Sequence, residues 1–137
     1  MKRKNLINKA RHYVDNAKEL LKEHGEPDPE IGYYKNSKCV KKAGFMLWKG
    51  VLMALDSVFQ VRKDRRTRVD IDTYVKVISE RDDKLSRIVD MGYNHMWVYM
   101  AYDGMHNKTL SDSSIEMAYD IINRCEKLLF IHNQPLE

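Results

Sequence analysis

The longest apolar helical pattern of the chain lies in residues 37–61, SKCVKKAGFMLWKGVLMALDSVFQV. Its apolar residues recur at the three- and four-residue spacing of an α-helix and form two adjacent stripes. One stripe comprises Val40, Ala43, Leu47, Val51, Ala54 and Val58, and the other comprises Gly44, Trp48, Leu55 and Phe59. Because a helix that is apolar over so wide an arc has neighbours on several sides, we predict a central helix here. Its small residues would allow these neighbours to approach closely: Ala43, Gly44, Gly50 and Ala54.

Helices of the same period are predicted on both sides of this segment. The first runs from about residue 4 to residue 24, and the last ends at about residue 132 with a cap among residues 111–114. Their apolar stripes are Ile7, Ala10, Val14, Ala17 and Leu21 in the first helix, and Ile115, Ala118, Ile122, Cys125 and Leu129 in the last.

Two further helices are predicted between these. Asp70 or Asp72 caps a short helix, and the polar residues 79–84 kink or break the chain before a longer helix over about residues 83–103. The stripe of that longer helix is Leu85, Ile88, Gly92, Met96, Tyr99 and Asp103. Residues 26–36 are predicted as a loop, and little of the sequence alternates as strands do. We therefore predict an all-α protein, a single domain over residues 1–137 that forms an antiparallel four- to five-helix up-and-down bundle.

The composition excludes several classes of protein. Apolar residues make up 43% and charged residues 32% of the 137, a balance typical of a folded domain rather than a disordered chain. The longest apolar-leaning run, residues 44–58, contains Lys49 and Asp56, so we expect no membrane span. Without an apolar leader, the expected location is the cytoplasm. Cys39 and Cys125 form no CxxC pair and are expected to be buried thiols.

No catalytic or cofactor motif is present in the sequence. The chain lacks a P-loop, a GxGxxG turn, an HExxH helix and a GxSxG elbow. His95 and Asp103 would lie about 12 Å apart along a helix, too far to share one metal ion, and nothing requires His106 to join them. No Glu-x-x-His step supports a di-iron site. We therefore expect no enzyme, no metal and no cofactor.

The strongest charge cluster is the basic segment, residues 62–68, RKDRRTR. It holds one acid and five cations, which are Arg62, Lys63, Arg65, Arg66 and Arg68. The arginine guanidinium binds phosphate oxygens through two parallel hydrogen bonds, so these five residues are candidates for binding nucleic acid or an acidic partner. Runs of charge of this kind are nevertheless more often solvated loops. The net charge of +4 permits partners of that kind without requiring them.

Aromatic residues crowd the predicted fourth helix. Tyr93 and Trp97 are four residues apart and Tyr99 and Tyr102 are three apart, so together they cover more than one side of the helix. Such coverage indicates either burial on several sides or one side against a partner. Such clusters more often pack in a core, and we take these four as the candidate residues of a self-association interface, with base stacking on nucleic acid as a further alternative.

The order of these segments resembles that of HEPN-like domains. Residues 10–21, ARHYVDNAKELL, resemble the opening helix of that superfamily, and residues 42–56 resemble its second helix. Residues 93–104, which end in Tyr102-Asp103-Gly104, look like the late helix of a small uncharacterised bacterial branch. The resemblance implies a four- or five-helix bundle that is often dimeric. Many members are ribonucleases of toxin–antitoxin or defence systems, and others partner a small nucleotidyltransferase.

The sequence departs from the catalytic members of that superfamily. Those members carry an Arg that is followed, after four to six residues, by a His. The Arg stabilises the developing phosphorane charge, and the His acts as a general base or acid on the ribose 2′-hydroxyl. Here the nearest pairs, Arg87 with His95 and Arg124 with His132, have seven residues between them. The resemblance therefore implies a non-catalytic member.

Our leading functional prediction is a non-enzymatic interaction module that forms a homodimer through the second or fourth helix. One alternative is an RNA-binding protein or ribonuclease component that uses the basic segment, with Arg87 and His95 as the first residues to test for catalysis. Another is an antitoxin-like partner of a nucleotidyltransferase.

Overall fold

The computed structural model describes residues 2–62, 64 and 68–132. Its helices are α1 (Lys2–His24), α2 (Ser37–Phe59), α3 (Ile71–Ser79), α4 (Asp83–Gly92), a π-helix (Tyr93–Tyr102) and α5 (Lys108–His132), and its strands are β1 (Pro27–Asp28) and β2 (Tyr33–Tyr34). The predicted all-α bundle is confirmed. Over this part of the chain, no helix combines the length and the apolar character that a membrane crossing requires.

Helix α2 lies at the centre of the bundle and packs against α1, α5 and the π-helix. Two of its glycines mark the closest approaches. A Cβ at Gly50 would lie 2.8 Å from the carbonyl oxygen of Ala10 in α1, and one at Gly44 would lie 2.5 Å from Cβ of Met100 in the π-helix. Both distances are shorter than van der Waals contact. The prediction that small residues admit close neighbours is confirmed at both glycines.

Helices α1 and α5 pack against each other in opposite directions. All five residues of each predicted stripe are buried. The guanidinium of Arg11 donates to both carboxylate oxygens of Glu126, at 3.0 and 2.7 Å, and one turn further along α1 the Tyr119 hydroxyl donates to Asp15. The apolar faces of both terminal helices are therefore those that the sequence predicted.

Helix α5 begins earlier than the serine cluster indicated. The side chain of Asn107 accepts a hydrogen bond from the backbone N–H of Leu110 at 3.2 Å and caps the helix. Ser111 and Ser114 lie inside it, where the Ser114 hydroxyl donates to the Leu110 carbonyl at 2.8 Å. The predicted cap among residues 111–114 is therefore wrong, because Asn is as good a cap as Ser and lies upstream.

The loop predicted over residues 26–36 contains a short antiparallel ribbon. Pro27 pairs with Tyr34 in β1 and β2, and Gly32 turns the chain between the strands with a φ of +69°. The backbone N–H of Tyr34 donates to the His106 carbonyl at 2.8 Å, which ties the ribbon to the start of α5. Strands of two residues show no alternation, so the sequence pattern did not reveal them.

The chain breaks as predicted within residues 79–84. Asp70 caps α3 by accepting from the Thr73 N–H at 2.9 Å, and Asp82 caps α4 by accepting from the Leu85 N–H at 3.0 Å. The longer helix is α-helical only as far as Gly92. Beyond that residue its hydrogen bonds span five residues, which defines a π-helix.

The π-helix corrects the predicted apolar stripe. The Asp103 N–H donates to the Val98 carbonyl, five residues back, at 2.9 Å. Met96 and Met100 are buried, whereas Tyr99 and Asp103, both placed on the stripe by the α-helical period, are exposed. The prediction of one α-helix over residues 83–103 is wrong beyond residue 92, because a wider turn moves the inward position from 99 to 100.

Candidate functional site

An open groove lies where α2, α3 and the start of the π-helix meet, and Leu6 of α1 also borders it. Its volume is about 1410 Å³. Its aromatic lining residues are Phe45, Trp48, Tyr74, Tyr93 and Trp97. Its charged lining residues, among those that the structure describes, are Lys49, Asp56, Arg62, Asp64, Arg68 and Asp70. Aromatic rings and both signs of charge therefore share one concave surface.

Two aromatic pairs cross from α2 to the π-helix. The rings of Phe45 and Trp97 lie 5.9 Å apart in a tilted contact, and those of Trp48 and Tyr93 lie 5.5 Å apart edge to face. The pairs form because Gly44 lets the two backbones approach, as a Cβ there would also lie 2.6 Å from the Ala101 nitrogen. Phe45 remains 50% exposed and Trp97 36%, whereas Trp48 is 7% exposed. The groove therefore presents one ring pair to solvent, and the other pair is largely covered.

A polar network closes the end of the groove where α2 terminates. Gln60 adopts the left-handed conformation, with a φ of 52°, and turns the chain so that Arg62 reaches back to α2. The Arg62 Nε donates to Asp56 Oδ2 at 2.6 Å, and the Tyr74 hydroxyl donates to Asp56 Oδ1 at 2.8 Å. Burial raises the pKa of Tyr74, and the adjacent Asp56 charge raises it further. The hydroxyl therefore stays protonated and the arginine is held in place.

The basic segment is only partly placed by the structure. Arg62 and Arg68 both line the groove, Arg62 within the polar network and Arg68 exposed to solvent. Lys63, Arg65 and Arg66 lie outside the described residues.

The four aromatic residues predicted as an interface divide between two surfaces. Tyr93 and Trp97 line the groove with Arg62 and Arg68, so residues that the sequence suggested separately are brought together. Tyr99 and Tyr102 do not line it. Nothing local in the sequence signals this division, because it depends on how the π-helix packs against α2.

Tyr99 and Tyr102 lie outside the groove, and we use the name outer face for four residues along α4 and the π-helix: Met91, His95, Tyr99 and Tyr102. Met91 is 52% exposed, Tyr99 37% and Tyr102 77%, and the rings of His95 and Tyr99 are 6.0 Å apart. The His95 Nδ1 atom is buried and has no hydrogen-bond partner among the described residues. These residues are therefore candidates for an interaction surface.

Two of the residues considered for catalysis or metal binding, Arg87 and His106, contact other side chains of the bundle. The Arg87 guanidinium binds Asp83 at 2.6 Å on the surface of α4. His106 packs edge to face on Tyr33, with ring centroids 5.1 Å apart. Across residues 2–62, 64 and 68–132, no three His, Cys, Asp or Glu side chains are grouped so that they could hold a metal ion.

One ion pair, between a buried carboxylate and an exposed arginine, was not predicted from the sequence. The Arg124 Nε of α5 donates to the Asp82 Oδ2 at 2.6 Å. Burial acts to raise the pKa of Asp82, but the hydrogen bonds from Arg124 and Leu85 outweigh it and lower that pKa. Burial, together with the Asp82 charge, raises the pKa of Cys125 to about 12, so its thiol is neutral. The partners are 42 residues apart in the chain, which leaves no local signal.

The geometry defines a helical bundle with two candidate interaction surfaces. Residues 5–127 match the model of a family described as a domain of unknown function, DUF5618, and the chain belongs to that family. The chain is also similar to a solved structure of a protein of unknown function from Dyadobacter fermentans, with 29% sequence identity and a TM-score of 0.84 over 94% of this chain and 99% of that one. No curated protein matches. Neither description names the HEPN-like superfamily.

Proposed function

We propose that this protein is a non-enzymatic interaction module that forms a homodimer through the outer face. The observation that carries the proposal is the exposure of Met91, Tyr99 and Tyr102 along α4 and the π-helix. Single exposed apolar residues are ordinary, whereas a contiguous apolar patch is typical of an interaction site, and the proposal is that these three residues contribute to one. A stretch of π-helix supports the choice of this face, because such segments occur frequently at functional sites.

The chemistry of the outer face suits contact with a second copy of itself. In a two-fold symmetric dimer each residue of the patch meets the same patch on the partner, so a self-complementary surface is required. Tyrosine is well suited to that role, because it buries a large ring while its hydroxyl finds a hydrogen-bond partner. Tyr99 and Tyr102 each supply both properties.

The proposal includes an HEPN-like, bacterial and cytoplasmic protein. The helical bundle supports the HEPN-like assignment, and the source of the similar solved structure supports a bacterial protein. The buried free thiols of Cys39 and Cys125 agree with the reducing environment of the cytoplasm. A nucleotidyltransferase is the heterologous partner that remains if the chain does not bind itself.

Sedimentation equilibrium of a Tyr99→Ser, Tyr102→Ser double variant tests the proposal. Both side chains are exposed, so the variant should fold as the native chain does. The dissociation constant of its dimer should rise about tenfold or more. Ile31→Ser is the matched control, because Ile31 is 59% exposed outside the outer face. Equal association of the native chain and the double variant would contradict the assignment of this face.

A further inference from the structure

We propose that an open cleft between the start of α1 and the end of α5 binds a small anionic amphiphile, a molecule with an apolar chain and a negatively charged head group. The cleft forms because the two helices pack in opposite directions, which brings the first turns of α1 beside the last turns of α5. None of its described lining residues belongs to the outer face. The inference therefore goes beyond the homodimer and can fail separately from it.

The last turn of α5 is apolar on every side. Residues 128–131 read Leu-Leu-Phe-Ile, and consecutive residues of an α-helix point about 100° apart. Leu129 is buried, whereas Phe130 is 66% and Ile131 63% exposed. All three line the cleft together with Ile7 of α1. A helix segment that is apolar all round is normally covered on all sides, so the exposed pair provides a contact for an apolar chain.

The charges of the cleft favour an anion. Its described cations are Arg3, Lys4 and Lys127, and its described acid is Glu126. Both carboxylate oxygens of Glu126 already accept hydrogen bonds from Arg11, at 3.0 and 2.7 Å. In the part of the chain that the structure describes, none of the three lining cations forms an ion pair. The positive excess comes from these described residues alone and complements a carboxylate or phosphate head group.

The size of the cleft indicates a small molecule rather than a second protein. Its volume is about 890 Å³, within the roughly 300–1,000 Å³ of small-molecule pockets, and like them it has a mainly apolar surface with a few charged groups. A second copy docked on the same face would place cations against cations, which disfavours self-association there. One acyl chain with an anionic head group satisfies the apolar contacts and the charges together, and a fatty acid is the simplest molecule of that class.

Isothermal titration calorimetry of the full chain with sodium laurate, kept below its critical micelle concentration, tests the inference. Laurate should bind, and its affinity should fall as salt is added, because salt screens the contact with the head group. Acetate, which has the head group without the chain, should not bind. Dodecyltrimethylammonium, which has a chain of the same length with a cationic head, should bind at least about tenfold more weakly.

Two exposed residues of the cleft have matched controls elsewhere in the chain. Phe130→Ala should weaken laurate binding about tenfold or more, because burial of a phenyl ring contributes about that factor, whereas Phe45→Ala, 50% exposed in the groove, should leave it unchanged. Lys127→Glu should also weaken it about tenfold or more, whereas Lys22→Glu, exposed near the other end of α1, should not. Circular dichroism should show that all four variants keep the native helix content.

The inference is overturned if laurate does not bind, if acetate or dodecyltrimethylammonium binds as tightly, or if the cleft variants and their controls bind laurate alike. Sedimentation with phosphatidylglycerol vesicles separates a free amphiphile from a lipid surface. A native chain that sediments with these vesicles but does not bind monomeric laurate would assign this end of the bundle to a membrane surface and would overturn the proposal.

Discussion

Replacing Gly44 by Ala should push the π-helix away from α2. The added Cβ would lie 2.5 Å from Cβ of Met100, 2.6 Å from the Ala101 nitrogen and 2.7 Å from the Met96 carbonyl oxygen. Carbon atoms in contact prefer about 3.5 Å, so the two helices have to separate by about 1 Å. Two of these neighbours are backbone atoms, which cannot rotate away as the end of a side chain can. The substitution therefore weakens the packing of α2 against the π-helix, which is the contact that aligns the groove.

The free energy of unfolding of the Gly44→Ala variant should fall, although Ala is a better helix former than Gly. Overpacking of this kind costs about 1–3 kcal/mol, and Ala in place of Gly in a helix returns about 1 kcal/mol. Urea denaturation followed by circular dichroism should therefore show a net loss of up to about 2 kcal/mol, the difference between these two effects. Lys42→Ala, an exposed change on the same helix, should stay within about 0.5 kcal/mol of the native chain. A Gly44→Ala chain more stable than the native one would refute the close approach.

Further predictions concern the charged contacts and the buried thiol. Asp56→Asn should lower the free energy of unfolding by about 1.5–3 kcal/mol in urea denaturation, because the Arg62 guanidinium loses its anionic acceptor; an unchanged midpoint would contradict the network. The folded-state pKa of Asp82 lies below its ordinary 3.8, so its ion pair with Arg124 stabilises the fold fully above that value and the contribution is lost as the pH falls through the lower one. Thermal melts of Asp82→Asn should accordingly show a weaker loss of stability on acidification than native melts, and parallel curves would argue against the ion pair. The Cys125 thiol, with a pKa of about 12, should react with a disulfide reagent near pH 8 only after denaturation; rapid labelling of this thiol in the native protein would contradict its burial.

The sequence predicted the elements whose contacts are set by helical period. The buried stripes of α1 and α5 and the close approaches at Gly44 and Gly50 follow from spacing and residue size alone. The change to a π-helix at Tyr93 was missed, because no Pro or Gly within residues 93–102 marks it and it consists only of a shift in hydrogen-bonding partners. With that shift, Met100 is buried and Tyr99 is exposed.

The sequence predicted most of the residues of the two candidate surfaces, but it did not predict where in the fold they lie. The basic segment and the aromatic cluster were both visible in the sequence, about 30 residues apart in the chain. Their meeting in one groove depends on tertiary packing across Gly44. The ion pair of Asp82 with Arg124 likewise arises only when α4 and α5 pack together.

The molar mass of the native chain in solution tests the central claim most directly. Light scattering on a size-exclusion column, with the protein loaded at high micromolar concentration, distinguishes the two states. A homodimer predicts about 32 kDa, twice the 16.2 kDa of one chain. A mass near 16.2 kDa at that concentration would contradict the dimer.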